Sequence, residues 1–180
     1  MATEGTVDLS ETHEPKQASI EAFQSILDTL KQELQKLRHD HDSKHAEASP
    51  FTSCTIADTT LFQQLTKCIE PEHEPEYFKK VSSLSDDDLT SFAIPDHLLL
   101  VRVGTSAYGL HLLGKVQIPA LEDAYIHVRV FIGSEQSGGD HEERVASLHS
   151  IHTEEIIKDD GDRVYRAIFN SGNPLEWFET

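Results

Sequence analysis

The sequence predicts an α+β protein in which one long N-terminal amphipathic helix packs on an antiparallel sheet of four to five strands. Three observations carry this expectation. Between residues 110 and 131 the side chains alternate with a period of two. Leu110, Leu112, Val116 and Ile118 alternate with His111, Leu113, Lys115 and Gln117, and Ile126, Val128 and Val130 with Tyr125, His127, Arg129 and Phe131. That is the pattern of antiparallel strands with one buried face. Nearer the N-terminus, Ile20, Phe23, Leu27, Leu30, Leu34 and Leu37 recur at spacings of 3 and 4, which sets them on one stripe of a helix. The helix precedes the strands, so its stripe and the buried face of the sheet can cover each other.

The elements follow in order. Residues 1–14 are polar and read as a mobile segment. A helix is expected over 15–40. Pro15 suits its first turn, and Glu11, Thr12 and Glu14 lie at the positive end of its dipole. Residues 41–95 read as a large polar insert with short helices. One is expected over 60–69, carrying Leu61, Leu65, Cys68 and Ile69, before Pro71 and Pro75 break the chain. Ser85 followed by Asp86, Asp87 and Asp88 reads as an N-cap with an acidic first turn. Residues 96–180 read as a β domain, with strands over 97–103, 110–118, 125–132, 145–157 and 163–169. Gly104 to Gly109 read as a hairpin tip, and 137–140 and 159–162 as turns.

Bulk composition narrows the partners. The formal net charge of −17 opposes binding to nucleic acid and to anionic membrane surfaces. No apolar run approaches the roughly 20 residues needed to span a bilayer. The first residues show neither a basic stretch nor an apolar run, so no secretory signal is read. Cys54 and Cys68 form neither a disulfide framework nor a C-x-x-C pair. A reducing, cytoplasmic setting is the expectation.

The strand residues also carry a family resemblance. Lys115-Val116-Gln117-Ile118, the acidic turn Glu122-Asp123, and Tyr125-Ile126-His127-Val128-Arg129-Val130-Phe131 resemble the paired strands of the stefin branch of the cystatins. Lys158-Asp159-Asp160 resembles the acidic turn before a stefin's last strand. Gly5, Leu9-Ser10-Glu11 and the Pro15 helix resemble the glycine-bearing trunk and the helix after it. The resemblance implies a cystatin-like fold and a non-catalytic inhibitor or binder of papain-like cysteine proteases, which fills the active-site cleft without being cleaved. It implies partner contacts at Gly5, at the first hairpin (Thr105, Ser106, Ala107, Tyr108, Gly109) and at the second (Gly133, Ser134, Glu135, Gln136). It calls for no cofactor. The first hairpin departs from the family's Q-x-V-x-G, keeping only the glycine, and the second is polar where the family carries apolar residues or proline. Gly109 would let the backbone approach a partner closely, with Tyr108 as the aromatic anchor.

Other constellations are weaker. His39, His41 and His45 gather near the end of the helix, and His141, His149 and His152 near the last strands. His41 and His45 stand at i, i+4, a spacing that can chelate zinc or nickel, and His149 and His152 face opposite ways on a strand. A closed site needs more ligands than either set offers, so no metal is assigned. No nucleophile motif is recognised around Ser106 or Cys54, so no catalytic residue is nominated. The alternative reading is an interaction module whose Ile20–Leu37 stripe pairs with another chain, as in a coiled-coil homodimer.

Overall fold

The computed structural model describes residues 7–47, 76–133, 145–159 and 161–179, with backbone only at 42–47. The expected short helix at 60–69 lies outside the described residues.

The fold is α+β. Its main sheet has five strands, β1 (Asp8–Leu9), β2 (Leu98–Ser106), β3 (Gly109–Gln117), β4 (Tyr125–Gly133) and β5 (Ala146–Ile151), in the spatial order β1-β2-β3-β4-β5. Every neighbouring pair is antiparallel. Strands β3 and β4 coincide with the segments of period-two alternation.

The helix expected over 15–40 is two helices, α1 (Gln17–Ser25) and α2 (Leu27–Glu47), joined at Ile26. Ser25 Oγ donates to the Ala22 carbonyl at 2.8 Å, a local bond that competes with the helical ladder. Ile26 then takes a non-helical ψ of 2°. Phe23, Ile26, Leu30 and Leu34 are buried, whereas Ile20, Leu27 and Leu37 are only partly so.

These groups pack on Val101, Leu112, Val116, Ile126, Val128 and Val130 of the sheet. The stripe is therefore consumed in the chain's own core. Phe23, Leu30 and Leu34 are 0% exposed, which corrects the homodimer expected through them. A partner could reach them only by opening the fold.

Three further expectations are corrected. Of the segment read as mobile, residues 7–14 are described; they supply edge strand β1 and then run on beside β2, where His13 and Val101 exchange two backbone hydrogen bonds (2.8 and 2.9 Å). The strand expected over 145–157 divides at His152-Thr153. There the His152 N–H donates to the His127 carbonyl at 2.8 Å, and the chain leaves β4. Its second half, β6 (Glu154–Ile157), pairs with β7 (Arg163–Arg166) in a separate two-stranded hairpin.

The largest correction is that β3 and β4 are buried on both faces. Opposite the helices, the C-terminal residues lie across β3 and β4, and His111, Lys115, His127 and Arg129 are each no more than 3% exposed. Leu113 packs there with Leu175, Trp177 and Phe178 in a second apolar cluster. Polar strand residues read as solvent-facing are instead the floor beneath the tail.

Within 76–95 the short helix α3 (Asp86–Leu89) forms as expected. Ser85 Oγ accepts from the Asp88 N–H at 3.1 Å, satisfying one of the free donors of its first turn. No helix among the described residues is long and apolar enough to cross a membrane.

Candidate partner-binding edge

Strand register brings three separate segments to one end of the sheet. Asp8 pairs with Thr105, Ser106 with Gly109, and Gly109 with Gly133. The N-terminal strand, the β2–β3 turn and the end of β4 therefore stand side by side. Gly5, Ser134, Glu135 and Gln136 lie outside the described residues. Of the others, Thr105, Ala107, Tyr108 and Gly133 are exposed.

The β2–β3 turn is tighter than the sequence suggested. Strand pairing continues to Ser106 and Gly109, leaving only Ala107 and Tyr108 in the loop. Gly109 has φ +150°, a conformation that L-residues with a Cβ rarely adopt. Gly104, read as one bracket of the tip, lies within the strand. A Cβ there would meet Val7 Cγ1 at 2.7 Å, so this glycine permits close packing of the N-terminal segment. Tyr108 projects from the tip with 66% of its surface exposed.

The tip is wired to the buried outer face. Arg129 Nε donates to His111 Nδ1 at 3.4 Å. Arginine is always a donor, so Nδ1 is the acceptor and Nε2 of the neutral ring carries the hydrogen. Nε2 then donates to Ser106 Oγ at 3.3 Å, whose hydroxyl donates to the Gly109 carbonyl at 3.1 Å. Ser106 Oγ also lies 3.3 Å from the Tyr108 N–H, which donates to it.

A serine beside a histidine invites comparison with a nucleophile and its base. The third group decides against that. An activating triad places a carboxylate behind the imidazole to favour its protonation. Here burial, and then Arg129, push the His111 pKa down to about 4. The ring accepts a proton poorly at neutral pH, and the pair serves to hold the turn.

Cationic side chains fasten the C-terminal tail. Lys115 Nζ donates to the carbonyls of Asn170, Ser171 and Asn173 at 2.9, 2.8 and 2.8 Å. Arg102 Nη1 donates to the Leu175 carbonyl at 3.3 Å and Arg129 Nη1 to that of Phe178 at 3.1 Å. The Arg129 guanidinium also lies 3.8 Å from the centre of the Trp177 ring, within cation–π range. From the acidic turn, Asp123 Oδ1 accepts from the Ser171 N–H at 2.6 Å; hydrogen bonding from the Ser171 hydroxyl, and then from this N–H, holds its carboxyl below the usual range. Sequence reading missed this arrangement, because nothing in 170–179 has a strand or helix period. The available signal was Leu175, Trp177 and Phe178 close together in a short tail.

The histidine clusters separate. His39 pairs with Asp86 at 2.8 Å, and His41 packs against Tyr77 with ring centroids 4.4 Å apart. His141 lies outside the described residues. His149 sits beside His111 (6.3 Å), and His152 stacks on Phe178 (4.3 Å). Among the described residues no group of three or more histidine, cysteine or acidic side chains is arranged to hold a metal ion.

No family model matches the chain, and neither a curated protein nor a solved structure resembles it significantly.

Proposed function

We propose that this end of the sheet is a wedge that enters the active-site cleft of a papain-like cysteine protease and blocks it without being cleaved, as stefins do. The observation that carries the reading is the alignment of β1, the Ala107-Tyr108 turn and the Gly133 end of β4 along one edge. The connectivity supports it too. A short first strand, a helical segment and a four-strand meander follow one another in the order the stefin resemblance implies.

The mechanism needs no chemistry from the inhibitor. Affinity would come from shape and apolar contact at a rigid, narrow edge. Tyr108 supplies the anchor, and the Arg129–His111–Ser106 relay fixes the turn beforehand, so little conformational freedom is lost on binding. The acidic net charge favours a protease whose cleft rim is basic.

Binding to papain carrying a carbamidomethylated active-site cysteine, followed calorimetrically, tests the reading. Saturable one-to-one binding supports a cleft-filling mode that needs no reaction. An absence of binding to both the blocked and the free enzyme would overturn it.

A further inference from the structure

An interaction surface runs along the side of the sheet and does not depend on the proposed wedge at its end. Strand β5 is last in the sheet order, and among the described residues only β4 pairs with it. Its other side opens on a groove of about 470 Å³ between β5 and α2. Leu148 and Ile151 line it from the strand, and Glu33, Lys36, Leu37 and Asp40 from the helix.

This edge carries little defence against strand addition. Edge strands are ordinarily guarded by charge or proline, because their free N–H and C=O groups invite a further strand. The chain is 26% charged, yet Ala146–Ile151 holds neither a charged residue nor a proline. Its one irregularity is a bulge at His149, between the Leu148–Val130 and Ser150–Arg129 pairs, and the pairing resumes beyond it. There the His152 N–H turns to the His127 carbonyl. By alternation, the N–H and carbonyl of Ile151 face the open side.

The helix wall says what would sit beside them. Leu148 and Ile151 pair with Val130 and Val128, so they share the sheet face that meets the helices. Leu148 and Leu37 are only partly buried, and an inward side chain from a further strand would complete the layer they begin. Glu33 and Asp40 lie about one turn to either side of Leu37, or about 5 to 6 Å along the axis. Strand residues that share a face are spaced by about 7 Å, close to that interval. Lys36 is held by Glu33 at 3.4 Å, which leaves the wall with a net negative charge. A second copy fits poorly, since two chains of formal charge −17 would bring like-charged walls together. We infer that the groove binds an extended segment of a basic protein, added to β5 as a sixth strand. An apolar side chain rests on Leu37 and Leu148, and a lysine or arginine two positions to either side faces Glu33 and Asp40.

The probe is a fluorescein-labelled peptide with a central valine, a lysine two positions to either side of it and threonine elsewhere. Its anisotropy is followed as the full chain is added, and saturable binding is expected. A peptide with glutamate for both lysines should bind at least about tenfold more weakly. So should the lysine peptide N-methylated at its central residues, which keeps its charge and side chains but cannot pair as a strand. Glu33→Lys with Asp40→Lys, both exposed positions, should reverse the preference between the lysine and glutamate peptides. By hydrogen exchange, the Ile151 amide should be fast in the free chain and slow in the complex. Protection of that amide in the free chain, whether monomer or dimer, would show the edge already covered and overturn the site. Equal binding of the N-methylated peptide would overturn strand addition. Binding still unsaturated at about 1 mM protein would overturn the groove as a docking site.

Discussion

The Phe23 ring of α1 lies directly on the backbone of Gly114 in β3. A Cβ at Gly114 would overlap Phe23 Cζ and Cε1 and press on Leu98 Cδ1 at 3.1 Å. The helix can approach the sheet this closely only because that position has no side chain. Gly114→Ala should destabilise the protein by about 1–3 kcal/mol through overpacking. Adding Phe23→Leu should recover part of the loss. Urea midpoints of the two single variants and the double variant measure the coupling, and strict additivity would contradict the contact.

Leu30 lies in the same buried stripe with no exposed surface. Leu30→Asp should unfold the chain, because an unpaired charge would enter the core. Sedimentation and circular dichroism together separate this from dissociation of an oligomer. A folded Leu30→Asp monomer derived from a wild-type dimer would favour the coiled-coil alternative.

The tail hangs on Lys115, whose ammonium bridges three carbonyls. Lys115→Met leaves those acceptors without their donor, at a cost of about 2–4 kcal/mol. Amide hydrogen exchange over 170–178 should accelerate and Trp177 emission should shift to the red. Unchanged protection there would contradict the fastening role.

Acid should weaken the fold before the carboxylates titrate. Burial, then His152, Lys115 and Arg166, hold the His127 pKa down to about 3, and His111 is at about 4. An unfolded histidine titrates near 6.5. Below that value the unfolded chain takes up protons that the folded chain refuses. Stability is therefore fully present above about pH 6.5 and falls as pH drops toward these values, by up to about 1.4 kcal/mol per pH unit for each such histidine. Urea midpoints measured between about pH 7.5 and 5 should fall steadily, and His127→Phe should flatten the slope. An identical slope in the variant would contradict a neutral buried His127.

How much of this was legible beforehand depends on the residue. Leu112, Val116, Val128 and Val130 announced their inward face by period alone, and Phe23, Leu30 and Leu34 announced the helix face that meets them. The break at Ile26 was hidden, because a serine hydroxyl turning back on its own helix leaves the apolar spacing intact. The outer face was misread because alternation reports polarity, not exposure. His111, Lys115, His127 and Arg129 look like solvent-facing residues until a tail with no period of its own lies over them. At the candidate edge, Tyr108 and Gly109 were readable as a turn. Their placement beside Asp8 and Gly133 depends on register across three strands, which no local pattern encodes.

The most direct test of the wedge is a titration of papain activity with the purified chain beside Tyr108→Ala and Gly109→Glu. Tyr108 is exposed at the tip, so Tyr108→Ala should keep the wild-type circular dichroism spectrum, whereas Gly109 is buried at φ +150° and Gly109→Glu should distort the turn itself. The account predicts reversible competitive inhibition by the wild type, weakened at least tenfold, or about 1.4 kcal/mol, in each variant. No inhibition at micromolar protein, or equal inhibition by all three chains, would contradict it.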